Sequence, residues 1–233
     1  MGDNFYNHFI QKKPTGLGWW LNYRAAKTLF KPLGLKKGMT CLEIGAGKGE
    51  FADICINNGI EYTAVEPNNQ MADELEKKGV KVYRFMVPPV PLNEKYDCVI
   101  MINVLEHFDS MQMVLKVVED CHKILKAGGK LLIAGPDYWN YQKFFFDCDY
   151  SHNYVCSYNR VSQILYDTAF KKITGFHFCV FLKGFLCFLV SGLNKHLPFI
   201  YLNHCLFPNS KILMRLSEGQ FAFLRSFAVI GET

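Results

Sequence analysis

The sequence predicts an α/β fold: a doubly wound, mostly parallel sheet with helices on both faces, carried by one domain. Three observations predict it. Short apolar runs of β type alternate with helical runs from residue 39 to residue 134. The first of those runs stops at three alternating glycines, Gly45, Gly47 and Gly49, a turn that can join a strand to a following helix. Of the 233 residues 50% are hydrophobic and 20% charged, the balance of a folded globular chain.

Taken in order, residues 16–30 carry Leu17, Trp20, Leu21, Tyr23 and Leu29 on a helical pattern ended by Pro32 and Gly34. Residues 39–44 form the first strand, and a helix spans about 48–57 and stops near Gly59. The unit repeats with a strand at 62–65, Asn68 as a cap, a helix over 71–78 and Gly79 closing it. A third strand covers 80–87, a fourth 98–102 and a fifth 130–134, with a long helix over about 110–125 between the last two. Beyond Pro136 an aromatic stretch containing Tyr138, Trp139, Tyr141 and Phe144 to Phe146 reads as a pocket wall, before a helix at about 159–168. Residues 220–230 alternate loosely as a last strand, and 184–217 read as an insertion. The resulting organisation is a leading helical segment (1–34), a cofactor-binding core (35–183), an insertion or lid (184–217) and a last strand (218–233).

Composition narrows the partners. A net charge of +5, with scattered cations, provides no basic arm for a phosphate backbone, so nucleic acid is not expected. The nine cysteines have no CxxC pair and several lie in apolar runs, which reads as core filler in a reducing compartment. The first residues carry neither a basic nor an apolar signal region, so a cytoplasmic location is expected. The apolar run 176–190 is interrupted by Lys183 and Gly184 and falls short of the roughly 20 residues of a spanning helix. Residues 176–207 leave peripheral contact with the inner face of a membrane open.

The chemistry begins at the first strand. Gly45, Gly47 and Gly49 permit a sharp turn and close approach of a ligand, and the next helix offers free N–H groups. Glu66 ends the second strand, where a carboxylate can accept from both hydroxyls of a ribose.

These pieces together resemble the class I, Rossmann-like S-adenosylmethionine-dependent methyltransferases over about residues 35–170. The resemblance rests on Leu35-Lys-Lys-Gly-Met-Thr-Cys-Leu-Glu-Ile-Gly-Ala-Gly-Lys-Gly49, Ala64-Val-Glu-Pro67, Tyr96-Asp-Cys-Val-Ile-Met-Ile-Asn-Val-Leu-Glu-His-Phe108 and Leu125-Lys-Ala-Gly-Gly-Lys-Leu-Leu-Ile133. It implies a seven-stranded sheet with an antiparallel last strand and a C-terminal cap insertion, and S-adenosylmethionine as cofactor. It also implies that Glu43, Gly45, Ala46, Gly47 and Gly49 surround the methionine part, Glu66 with Pro67 holds the ribose, and Asn103, Val104 and Glu106 lie beside the cofactor. A nicotinamide-binding enzyme would also want a glycine turn and a strand-end acid. Here the turn departs from GxGxxG, and Glu43 would repel a pyrophosphate while suiting a cofactor that bears an α-amino group. Where the family often has an acid for the adenine amino group, this chain reads Phe85-Met-Val-Pro-Pro, which leaves Met86 as a candidate contact.

For the acceptor, His107 and His152 are the candidate catalytic residues, as base or hydrogen-bond partner. Asp149-Tyr-Ser-His152 resembles the D-x-x-H stretch of small-molecule and glycan-cluster methyltransferases. An alternative pins His152 to its loop through Asp149. Asp147, Asp149 and His152 are also considered as metal ligands, and no metal is assigned. The expected reaction is methylation of a hydroxyl on a small-molecule, sugar or lipid-linked intermediate. The alternatives are a quinone-like acceptor at a membrane surface and a non-catalytic subunit that keeps the fold. Oligomeric state is not legible.

Overall fold

The computed structural model describes residues 15–233, so residues 1–14 of the leading segment lie outside the described part. Helix α1 (Gly16–Phe30) begins where the Thr15 hydroxyl accepts from the Gly18 N–H at 3.1 Å. The alternating core follows: β1 (Thr40–Ile44), α2 (Glu50–Asn57), β2 (Glu61–Val65), α3 (Asn69–Lys77), β3 (Lys81–Tyr83), β4 (Tyr96–Ile102), α4 (Met111–Ile124) and β5 (Leu125–Pro136). Then come the short α5 (Tyr138–Tyr141) and α6 (Phe144–Asp147), α7 (Tyr158–Asp167), β6 (Lys172–Cys179) and β7 (Leu182–Lys183). The C-terminal part holds α8 (Gly184–Asn194), α9 (Phe199–Tyr201), α10 (Lys211–Ala222) and β8 (Ser226–Glu232).

Among the described residues these strands form one sheet in the order β3-β2-β1-β4-β5-β8-β6-β7. Strands β3 to β5 are mutually parallel where they pair, and β8 runs antiparallel between β5 and β6. Chain order reverses between β1 and β4, which opens a crevice at the carboxyl ends of those two strands. Strand β5 shows why both faces are covered. Leu131 and Ile133 point into one core with Val114, Val117 and Cys121 of α4 and Leu165 of α7. Leu132 and Ala134 point into the other, with Leu29 of α1 and Phe51 and Ile54 of α2. All nine cysteines are free thiols and seven are buried.

Four expectations change. The sheet has eight strands rather than seven, because Leu182 and Lys183 fold back on Cys179 and Phe178 as a two-residue edge. The third strand stops at Tyr83, not residue 87. There Arg84 swings to Asp73 and Glu76, each at 2.7 Å, and the prolines that follow have no N–H for a ladder. The fifth strand starts at Leu125, five residues early, with a register irregularity opposite Tyr96 and Cys98. The last strand starts at Ser226, because residues 220–222 finish α10.

The insertion therefore runs to Ala222 and forms a helical cap. Gln220, 2% exposed, holds it together. Its amide donates to the Asn194 and Leu197 carbonyls at 2.9 and 2.8 Å, and its Oε1 accepts from the Ile200 N–H at 3.1 Å. The outer side of the cap is apolar, with Phe185 80% and Ile212 73% exposed. By length and composition the stretch Gly184–Leu206 suffices to cross a membrane, longer than the run read from sequence, yet residues 195–198 break its helix.

Gly175 of β6 faces the Ala228 carbonyl and the Tyr158 ring so closely that a Cβ would collide with both. Gly175→Ala is expected to lower stability by about 1–3 kcal/mol, read as a reduced urea midpoint with an unchanged m-value.

Candidate functional site

At the carboxyl end of β1 the chain turns through Gly45, Gly47 and Gly49 with φ of 74°, 54° and 76°. This left-handed backbone favours glycine. At Gly45 a side chain is also excluded by space, since a Cβ would lie 2.6 Å from Cγ2 of Val104. The turn from β1 and the segment leaving β4 thus meet at the crevice. Asn103, exposed and at φ 53°, is a strained non-glycine residue in that same segment, a conformation that clusters at functional sites.

Two buried carboxyl groups, Glu43 and Glu66, lie at the turn, and a third, Glu106, follows β4. Glu43, 3% exposed, accepts a short hydrogen bond from the Tyr62 hydroxyl. Burial pushes its carboxyl up to about 8, against the Tyr62 hydrogen bond and with help from Glu50 and Glu66. Glu66, 5% exposed, accepts the Gly47 N–H on Oε2 and the Asn68 N–H on Oε1, both at 2.9 Å. Its carboxyl is also raised by burial, opposed by those two N–H groups. A carboxylate has about four lone-pair positions, so two further donors can be accepted there. Glu106, 1% exposed, lies in a 3₁₀ turn over Leu105–His107, its carboxyl pushed up to about 8 by burial and then by Asp149.

Beyond Glu106 the loop containing His152 is fastened back onto this turn. The Asn153 and Tyr154 N–H groups both donate to the Glu106 carbonyl, at 2.7 and 3.0 Å. His107 and His152, 45 residues apart in sequence, therefore stand with ring centroids 5.0 Å apart. The His152 ring also leans on Phe145 at 4.9 Å, in the aromatic wall that Tyr138 and Phe146 continue. Burial and then His152 lower the His107 imidazole below its ordinary value. Such a cradle, with small residues at the turn and carboxyls beneath it, suits a nucleoside that also bears a cationic amino-acid end.

A family model for a methyltransferase domain matches residues 17–178. The chain belongs to that family. The methyltransferase fold is also that of an S-adenosylmethionine-dependent methyltransferase of Archaeoglobus fulgidus, at 18% identity and TM-score 0.62 over 91% of this chain and 94% of that one. A second, from Thermotoga maritima, aligns with TM-score 0.64 and 17% identity over 99% and 97% of the two chains. Phosphoethanolamine N-methyltransferase 2 of Haemonchus contortus, in complex with phosphomonomethylethanolamine and S-adenosylhomocysteine, aligns with TM-score 0.61 and 16% identity over 99% of this chain and 57% of that one. An uncharacterised protein of Methanocaldococcus jannaschii is 33% identical over 95 residues, covering 40% of this chain and 42% of that protein's length. The chain thus carries a Rossmann-like S-adenosylmethionine-dependent methyltransferase domain.

Of the residues expected at the methyltransferase site, Glu43, Gly45, Ala46, Gly47, Gly49, Glu66, Asn103, Val104 and Glu106 gather along the carboxyl ends of β1, β2 and β4. Pro67 is exposed beside Glu66, and Met86 is 59% exposed in the loop after β3. His152 is joined to Asp149 through the main chain, its N–H donating to the Asp149 carbonyl at 3.2 Å, and not through the Asp149 side chain. Asp149 instead takes the Ser151 N–H and hydroxyl at 2.9 and 2.6 Å, while His152 Nδ1 lies 2.6 Å from the Phe145 carbonyl. Asp147 faces His204 at 3.3 Å. Sequence reading missed Tyr62 as the partner of Glu43, although both residues stand on neighbouring strands, with Glu43 in register with Ala64.

The raised Glu43 carboxyl has a measurable consequence. An unfolded glutamate ionises near pH 4.3, so folding takes up a proton between about pH 4.3 and 8. The stability this group contributes is complete below the lower value and is lost as pH rises through about 8. Ligand-free Glu43→Gln protein is expected to melt above wild type at pH 8, with the margin shrinking at pH 5. Equal margins at both pH values would contradict the burial-raised carboxyl.

Proposed function

We propose that the protein transfers the methyl group of S-adenosylmethionine to a hydroxyl of a small-molecule, sugar or lipid-linked biosynthetic intermediate, the lipid-linked class being favoured. The observation that carries this reading is the approach of His107 to His152 beside the glycine turn. A hydroxyl acceptor must give up a proton as it is methylated, and paired imidazoles at the reacting end of the crevice serve that need. S-adenosylmethionine supplies a methyl group on a sulfonium, an electrophile that needs alignment more than activation.

Residue roles follow in the same reading. Glu66 accepts from the ribose hydroxyls on the lone pairs that Gly47 and Asn68 leave, next to Pro67. Glu43 gives up its proton and offers a carboxylate toward the cationic methionine end. Gly45, Ala46, Gly47 and Gly49 line the cofactor from one side, Asn103, Val104 and Glu106 from the other, and Met86 flanks the adenine.

The cap favours a lipid-linked acceptor. Residues 168–217 contain no Asp or Glu, and they carry Lys183, Lys195, Lys211 and Arg215. With Phe185, Leu193 and Ile212 exposed, this surface is apolar and cationic together, which suits the boundary of an anionic bilayer. A cavity of about 340 Å³ between α5, α6 and the cap is lined by Lys143, Lys195, His196 and Tyr201, side chains fit for a phosphate. The reading puts the protein in the cytoplasm, in peripheral contact with the inner face of a membrane.

Methyl-labelled S-adenosylmethionine, incubated with the enzyme and a total lipid extract, tests the reaction. Label is expected in the lipid phase as an alkali-stable ether. Label confined to amines would sink the hydroxyl assignment. Vesicle flotation tests the surface: the protein is expected to rise with anionic but not neutral vesicles, and Phe185→Asp with Ile212→Asp to stay at the bottom. Wild-type protein that never floats would remove the membrane.

A further inference from the structure

Glu106, His107 and His152 come together as one cluster. One donor atom from each lies within 4.8 Å of the other two. The Glu106 Oε2 is buried and has no hydrogen-bond partner. A buried carboxyl oxygen left without a partner is rare enough to ask for one, and an ion is among the usual answers.

The outer hydrogen bonds prepare both imidazoles. His152 Nδ1 lies 2.6 Å from the Phe145 carbonyl, which can only accept, so Nδ1 carries the hydrogen and Nε2 the lone pair. The Ser151 hydroxyl donates to Asp149 at 2.6 Å and so accepts from His107 Nδ1 at 2.9 Å. Carbonyl to imidazole and carboxylate to hydroxyl to imidazole are the supports that orient metal-ligating histidines. Two backbone N–H groups on the Glu106 carbonyl fix the loop that brings His152. At metal–donor bonds of about 2.1 Å in a tetrahedral arrangement, donors stand about 3.4 Å apart, so drawing donors that lie within 4.8 Å of one another onto an ion takes side-chain shifts of up to about 1.4 Å.

We infer that Glu106, His107 and His152 bind one divalent transition-metal ion. Two imidazole nitrogens and a carboxylate oxygen suit zinc, manganese, cobalt or iron(II) rather than calcium or magnesium, which prefer oxygen. The three protein ligands leave coordination positions for other groups. The inference rests on the hydroxyl-acceptor reading for its purpose: the ion draws the acceptor oxygen's proton off to solvent. The oxygen's electron pair then forms the new C–O bond as the sulfonium C–S bond breaks and its pair stays on sulfur. The imidazoles in this arrangement act on the hydroxyl through the ion rather than as free bases.

Chelator-stripped protein titrated with Co²⁺, without acceptor, tests the site apart from the reaction. One equivalent is expected, with weak visible bands of nitrogen and oxygen ligands. Glu106→Gln and His152→Gln should each weaken binding at least about tenfold, while His204→Ala leaves it unchanged. Unchanged melting of both variants without metal shows that the fold is kept; if either unfolds, the wild-type spectrum alone decides. No bound Co²⁺, an intense thiolate charge-transfer band, or folded variants that bind as tightly as wild type would overturn the site. Ion binding without methyl transfer would leave the site standing and remove its assigned purpose. Methyl transfer without ion binding would remove the site and leave the hydroxyl-acceptor reading standing.

Discussion

Parallel strands all end on the same edge of their sheet, and in this protein that edge buries carboxyl groups. Glu43 within β1, Glu66 after β2 and Glu106 after β4 are each at most 5% exposed. Removing a carboxyl from water disfavours its charge, and the fold answers differently in each case. Tyr62 donates to Glu43, two backbone N–H groups hold Glu66, and Glu106 keeps an oxygen with no partner. The hydrogen bonds to Glu66 also tie the glycine turn to the start of α3. The shape of the glycine turn and the electrostatics around it therefore share one set of contacts.

The segments that follow β5 depend on a second buried charge. Asp137, just past β5, pairs with Arg225 through Nη2 at 2.6 Å and Nε at 2.8 Å, and its N–H donates to the Arg225 carbonyl. Asn140 Oδ1 accepts from the Arg225 N–H at 2.8 Å, and the guanidinium lies over Phe188 of the cap at 4.5 Å. The aromatic loop, the entry to β8 and the cap thus converge on one guanidinium. Breaking a buried pair of this kind leaves an uncompensated charge, which fixes these three segments relative to one another.

Most of the central sheet was legible in the sequence because its signals are local. Helix α1 matches its predicted bounds, and the glycine turn and Glu66 sit where strand ends were expected. The errors lie where tertiary contacts override local pattern. Residues 84–87 look like more strand, yet the salt bridges of Arg84 pull the chain away. Phe221 and Phe223 alternate as a strand would, yet Gln220 holds that turn in a helix. The approach of His107 to His152 had no local signal, because it depends on N–H groups of residues 153 and 154 reaching the Glu106 carbonyl.

The position of the cap between β6 and β8 has a temporal side. Among the described residues strand β6 pairs only with β7 and β8, and β8 is made after the whole cap. During synthesis β6 carries an open edge until more than forty further residues have been added. Gln220 closes the cap within its own sequence, so a cap that folds early brings the two ends of its segment together and shortens the loop β8 must close. Because the cap is joined to the sheet through β7 at one end and β8 at the other, its length can change without altering strand register. A fold built this way can vary its cap while the ends of β1, β2 and β4 stay fixed.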